Sequence, residues 1–128
     1  MTGGNESDII KEKAVFIDNV TGESATIDDN KFVKYSLDSE KQPDKARAFK
    51  EALGFEKSNY QLLKKQIIEK FDRNKLKYRG EVEQGSLYYL IYEIQGVNGK
   101  TAKVMTSWID DINDKMDFHM TSVYVDKR

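Results

Sequence analysis

The chain has 128 residues, 38% of them hydrophobic and 34% charged, with 22 acidic against 21 basic side chains. That length supports one domain with a working core and leaves little room for a second, while near-neutral charge points to no partner through bulk electrostatics. With no cysteine and one histidine, the chain has no disulfide, thiolate zinc site, cysteine nucleophile or two-histidine metal motif, and no apolar run approaches the ~20 residues of a membrane span.

Residues 1–30 are polar. "MTGGNESDII" lacks the basic and apolar pattern of an export signal. Turn signals fall at Gly3-Gly4 and in "NVTGES", and "KAVFID" and "SATID" are able to pair as a hairpin. The sequon Asn19-Val20-Thr21 reads as a turn where no secretion signal precedes it. The segment is expected to be a leader or linker, with a single α+β domain over 31–128.

From 31 to 73 the pattern is helical. "KFVKYSLD" leads in as a short extended or single-turn segment. A helix follows from about 43 to 54, with Pro43 in its first turn and Gly54-Phe55 closing it. Phe49, Ala52 and Leu53 form its apolar stripe, Ala46 lies at the edge, and Arg47, Lys50 and Glu51 face away. Lys45 is out of place, four residues before Phe49 and on the buried side. Either its methylene stem covers apolar surface while the ammonium reaches water, or the ammonium projects into a cleft that binds an anion. A second helix is expected over 58–73, with Ser58 and Gln61 as a capping box. Tyr60, Leu63, Ile67 and Phe71 make its core face, broadened by Leu62 and Ile68.

At about 75 the period changes to two. "LKYRGEVE" alternates as a half-exposed strand, and "GSLYYLIYEIQG" is apolar on both sides and reads as a central one. Asn98-Gly99 signals a hairpin, "TAKVMTSWID" a third strand and "FHMTSVYVD" a fourth. The expected architecture is two N-terminal helices on one face of a four-stranded antiparallel meander, with the other face open for binding.

Candidate chemistry gathers on the last two strands. His119 is the one side chain that ordinarily titrates near neutrality, so acid–base catalysis looks to it first, although single histidines are commonly structural. Thr106, Ser107, Thr121 and Ser122 carry hydroxyls able to hold a phosphate oxygen, and are also ordinary strand residues. Trp108 and Tyr124 are able to stack on a base or to serve as packing aromatics. The acidic run Asp110, Asp111, Asn113, Asp114 and Asp117 lacks the glycine and distal glutamate of a calcium loop and reads as a solvated turn. No metal or other cofactor is expected.

The set Lys31, Phe32, Tyr35, Leu37, Asp38, Asp44-Lys45-Ala46, Phe49, Leu53-Gly54-Phe55 and Asn59, followed by "NGKTAKVMTSWI" and "HMTSVY", resembles an uncharacterised bacterial domain family. That family occurs at the C-termini of polymorphic toxins and phage head-associated proteins. The architecture also resembles the barnase–EndoU–colicin–RelE toxin ribonucleases. The resemblance implies a toxin-type effector, a metal-independent ribonuclease acting on tRNA or another structured RNA. Its site would be Lys45, His119, Thr106 and Ser122 for catalysis, with Lys31, Tyr35, Trp108 and Tyr124 binding substrate. A cognate immunity protein is the implied partner. The implied place of action is the cytoplasm, after delivery as the C-terminal part of a larger secreted protein. A non-catalytic immunity or phage accessory module is the alternative, favoured by the acidic pI.

Overall fold

A computed structural model describes residues 13–18, 24–111 and 118–127. Gly3-Gly4, the Asn19 sequon, and Asn113, Asp114 and Asp117 of the acidic loop lie outside these residues. Six strands form one sheet: β1 (Lys13–Ile17), β2 (Ser24–Asp28), β3 (Lys77–Val82), β4 (Gly85–Gln95), β5 (Thr101–Asp111) and β6 (Phe118–Val125). Their order across the sheet is β1-β2-β6-β5-β4-β3.

This corrects the expected four-stranded antiparallel meander. The N-terminal segment supplies an antiparallel hairpin, β1–β2. That hairpin joins the sheet through a parallel pairing of β2 with β6, Ala25 opposite Phe118 and Thr26 opposite His119. The reason is burial. Ala25 and Ile27 are fully enclosed and Phe16 nearly so, packing into the same core as the helices. A segment that contributes three core residues is part of the fold.

Helix α1 (Pro43–Leu53) begins with proline in its first turn, where no amide is needed. It ends at Gly54 in the left-handed region, φ 78°. There the Gly54 amide donates to the Lys50 carbonyl, the single bond of an αL closure, and the Phe55 amide donates to the Phe49 carbonyl. The turn between β4 and β5 sits directly on this end. A Cβ added to Gly96 would lie 2.4 Å from the Leu53 carbonyl oxygen, so only glycine allows that approach.

Helix α2 (Tyr60–Lys70) follows a 3₁₀ turn, Lys57–Asn59, in which Glu56 and Asn59 cap each other reciprocally. It buries Leu63 and Ile67 and leaves Leu62 half exposed, so Leu62 does not broaden the core face as expected. Its Tyr60 hydroxyl donates to Asp29 at 2.8 Å and Lys64 pairs with the same carboxylate at 2.5 Å, fixing the helix against the end of β2.

The helices contact one side of the sheet, α1 over β5 and β6 and α2 over β4. Leu90, Tyr92 and Ile94 of β4 meet Val104 and Trp108 of β5 and Val123 of β6 there. Trp108 is at the centre, its ring centroid 4.5 Å from that of Phe71 and 6.2 Å from that of Phe16.

Candidate functional site

Because side chains alternate along a strand, the residues between those core positions face away from the helices. Cross-strand register lines them up as two rows: Tyr89, Ser107 and Ser122, then Ile91, Met105 and Tyr124. Two of them are enclosed although no helix covers them, Met105 at 5% exposure and Ser107 at 3%. Their cover comes from the two flanks.

On one flank β3 bulges between Tyr78 and Gly80. The bulge leaves Arg79 unpaired and aims it across β4, where Nη1 donates to Ser107 Oγ at 2.8 Å and lies 4.0 Å from Met105 Sδ. On the other flank the Tyr124 hydroxyl donates to Met105 Sδ at 2.7 Å. Beside them lies an open groove of about 570 Å³, lined by Arg79, Tyr89, Met105, Tyr124 and the segment Val125 to Lys127. β6 carries a bulge of its own where its register against β5 shifts next to Ser107.

The position of Lys45 follows from the edge of β6. β2 pairs with Phe118 and His119 alone, so the rest of that edge has no neighbouring strand among the described residues. A π-helical turn, Phe32–Ser36, fills the space, and Ser36 Oγ donates to the Val123 carbonyl. α1 follows this turn. From its first turn the half-buried Lys45 places its Nζ 5.4 Å from the centroid of the Tyr124 ring. The lysine therefore lies along the sheet edge toward the groove. Among the described residues neither Lys45 nor Arg79 has a carboxylate partner.

Of the residues singled out in the sequence, Ser107, Ser122 and Tyr124 fall on this face and Lys45 approaches the Tyr124 ring from α1; of these four, Tyr124 lines the groove. Thr106 and Trp108 do not. Trp108 is fully buried under the helices, with Nε1 donating to Thr106 Oγ1 at 2.8 Å, and Thr106 is equally enclosed and donates to the Leu90 carbonyl. The correction is one of strand parity: both fall on the helix-covered side of β5, so neither reaches the open face. His119 sits opposite Ile109 and beside Thr26, on the open side but at the far end of β6, and does not line the groove. Lys31 and Tyr35 belong to the π-helical turn and the residue before it. Lys31 Nζ and Lys41 Nζ lie 5.5 and 5.8 Å from the Tyr35 ring centroid.

Arg79, Lys41 and Met105 escaped sequence reasoning. Gly80 was the available signal for Arg79, since an isolated glycine in a strand pattern marks a bulge. Among the described residues no group of three or more His, Cys, Asp or Glu is placed to hold a metal ion. No helix among them is long and apolar enough to cross a membrane.

The profile of one family, described as a domain of unknown function (DUF6883), matches residues 18–127. The chain belongs to that family. The matched span takes in β2 to β6, both helices and every residue of the groove, so the DUF6883 domain contains the complete candidate site. No curated protein and no solved structure matches the chain significantly.

Proposed function

We propose that this DUF6883 domain is a toxin-type ribonuclease that cleaves structured RNA, such as tRNA, without a metal ion. The observation that carries this reading is the convergence of two cations lacking carboxylate partners, Lys45 and Arg79, with the hydroxyls of Ser107, Ser122 and Tyr124 on one open sheet surface. A phosphate is the ligand that such a set suits, because cations and hydroxyls together satisfy its charge and its oxygens. In the reaction the RNA 2′-oxygen forms a bond to phosphorus and the bond from phosphorus to the 5′-oxygen breaks. The products are a 2′,3′-cyclic phosphate and a 5′-hydroxyl end. Lys45 and Arg79 would neutralise the charge that grows on the phosphate oxygens. Asp126, in the groove lining, would accept the 2′-hydroxyl proton, and the Tyr124 hydroxyl would protonate the leaving oxygen. His119, outside the groove, would contact flanking RNA.

Under this reading the domain would act in the cytoplasm of a target cell after delivery within a larger secreted protein, and a cognate immunity protein would restrain it. The test is incubation of purified protein with tRNA in excess EDTA. Cleavage that leaves cyclic-phosphate ends, and that falls roughly 10²- to 10³-fold in Arg79→Ala, is the expected result. Intact RNA, or cleavage that vanishes on chelation, would refute it. One observation favours a second reading as a non-catalytic immunity or accessory module: the single histidine lies outside the groove. Under that reading the protein binds a partner protein and leaves RNA intact.

A further inference from the structure

We infer that Tyr35, with Lys31 and Lys41 over its ring, is a base-stacking subsite beside the groove, so that the substrate is an unpaired stretch of RNA rather than a duplex. This rests on the ribonuclease reading of the groove and names the form of RNA it takes. Three acids of the segment are engaged, while Glu40, beside Lys41, has no ion pair among the described residues. Asp29 pairs with Lys64 and Tyr60, Asp38 with Lys57 and Asp44 with Arg47. Lys31, Lys41 and Lys45 have no such partner among the described residues, and each instead lies over a tyrosine ring. The same segment thus pairs three of its acids and leaves three lysines beside aromatic faces.

The two ring sites are neighbours. Tyr35 precedes Ser36, whose hydroxyl bonds the Val123 carbonyl, and Val123 precedes Tyr124. Lys41 and Lys45 belong to the stretch that runs from the π-helical turn into α1, and so extend the cationic surface from one ring to the other. Tyr35 is 49% exposed, and two like charges lie within 6 Å of its ring centroid. Those charges repel each other, and a phosphate on either side of a stacked base relieves the repulsion. Alternation of cations with aromatic faces is how single strands are held without sequence readout; a duplex keeps its bases stacked inside and offers none to the ring. The helical turn that carries Tyr35 closes with an amide of Leu37 on the carbonyl of Phe32, a π-type bond, and such turns recur at functional sites.

The experiment measures fluorescence anisotropy of a short RNA carrying 2′-O-methyl groups throughout, which lacks the attacking hydroxyl and is not cleaved, as a single strand and as a duplex. Wild-type protein should bind the single strand more tightly. Tyr35→Ala should weaken that binding about tenfold to a hundredfold, the effect of losing one base–aromatic stack, and leave duplex binding unchanged. Tyr35→Phe should keep wild-type affinity. Lys31→Ala with Lys41→Ala should lower the slope of log affinity against log salt by roughly one to two. Equal binding of wild type and Tyr35→Ala, preference for duplex, or no binding to either form overturns the inference. Failure of the ribonuclease reading shows separately: wild type binds the methylated strand with the expected Tyr35 dependence yet leaves unmodified RNA intact.

Discussion

Replacing Lys45 with methionine removes the ammonium and retains the apolar stem, which separates the two roles open to this side chain. The ammonium lies 5.4 Å from the Tyr124 ring centroid at a half-buried position, a contact worth about 0.5–1 kcal/mol. No ion pair is lost with it among the described residues. Stability should therefore fall by no more than about 1 kcal/mol, a shift of roughly 3–6 °C in Tm for a domain of this size. If the ammonium faces the scissile phosphate, cleavage should fall by roughly 10²- to 10³-fold, or about 2.7–4 kcal/mol of transition-state stabilisation. Lys45→Ala, which also removes the stem, should cost about 1 kcal/mol more in stability and no more in rate. Urea denaturation and single-turnover cleavage of tRNA on the same preparations measure both quantities. Near-wild-type cleavage by Lys45→Met would refute the anion-binding role. A loss of more than about 2 kcal/mol in stability would show instead that the ammonium holds the fold.

Trp108→Phe should lower stability by about 2–3 kcal/mol, through a vacated core volume and a buried Thr106 hydroxyl without its donor, and should leave cleavage per folded molecule unchanged. Unchanged stability with lost cleavage would return Trp108 to the substrate site. Among the described residues the buried Tyr92 hydroxyl has no hydrogen-bond partner, its neighbour Thr106 being bonded to Trp108 and Leu90. Tyr92→Phe should accordingly leave stability unchanged or raise it by up to about 1 kcal/mol, and a clear loss in thermal denaturation would contradict this. The Asp38 carboxyl is held below its ordinary pKa, chiefly by the amide of Glu40, with help from the Lys41 amide and the Lys57 ammonium. A depressed folded-state pKa means that its stabilisation is complete above the unfolded value of about 3.9 and is lost as pH falls through the folded value. Stability profiles of wild type and Asp38→Asn should thus differ at neutral pH and converge in acid; a gap that widens in acid would contradict the assignment.

What the sequence shows of this fold is local. Pro43, Gly54 and Phe55 mark the ends of α1 because proline, a left-handed glycine and a closing apolar residue act within one turn. The hairpin at Asn98-Gly99 and the change of period near 75 are legible for the same reason. The place of β1 and β2 is not, because a five-residue strand carries no mark of the distant strand it will join. In β5, Val104 and Met105 are adjacent apolar residues on opposite faces, so the pattern cannot tell which parity the helices cover. That ambiguity put Trp108 and Thr106 on the wrong side, while Ser107, Ser122 and Tyr124 fell on the open one. Arg79 was hidden by the bulge that redirects it, since regular alternation gives no warning of an extra residue.

The parallel pairing of β2 with β6 has a consequence for how the chain reaches its final state. Neighbours from β3 to β6 are joined by contacts close in sequence, whereas β2 is separated from its partner β6 by most of the domain, Ala25 lying opposite Phe118. Closing so long a loop is entropically slow and is repaid only once the pairing forms. Until β6 arrives, Phe16, Ala25 and Ile27 have no completed sheet to cover them. β1 and β2 should then be the last segments to acquire hydrogen-exchange protection in a refolding experiment, after β4 and β5. The same β6 edge receives Ser36, so the approach of Lys45 to Tyr124 forms only once β6 is in place.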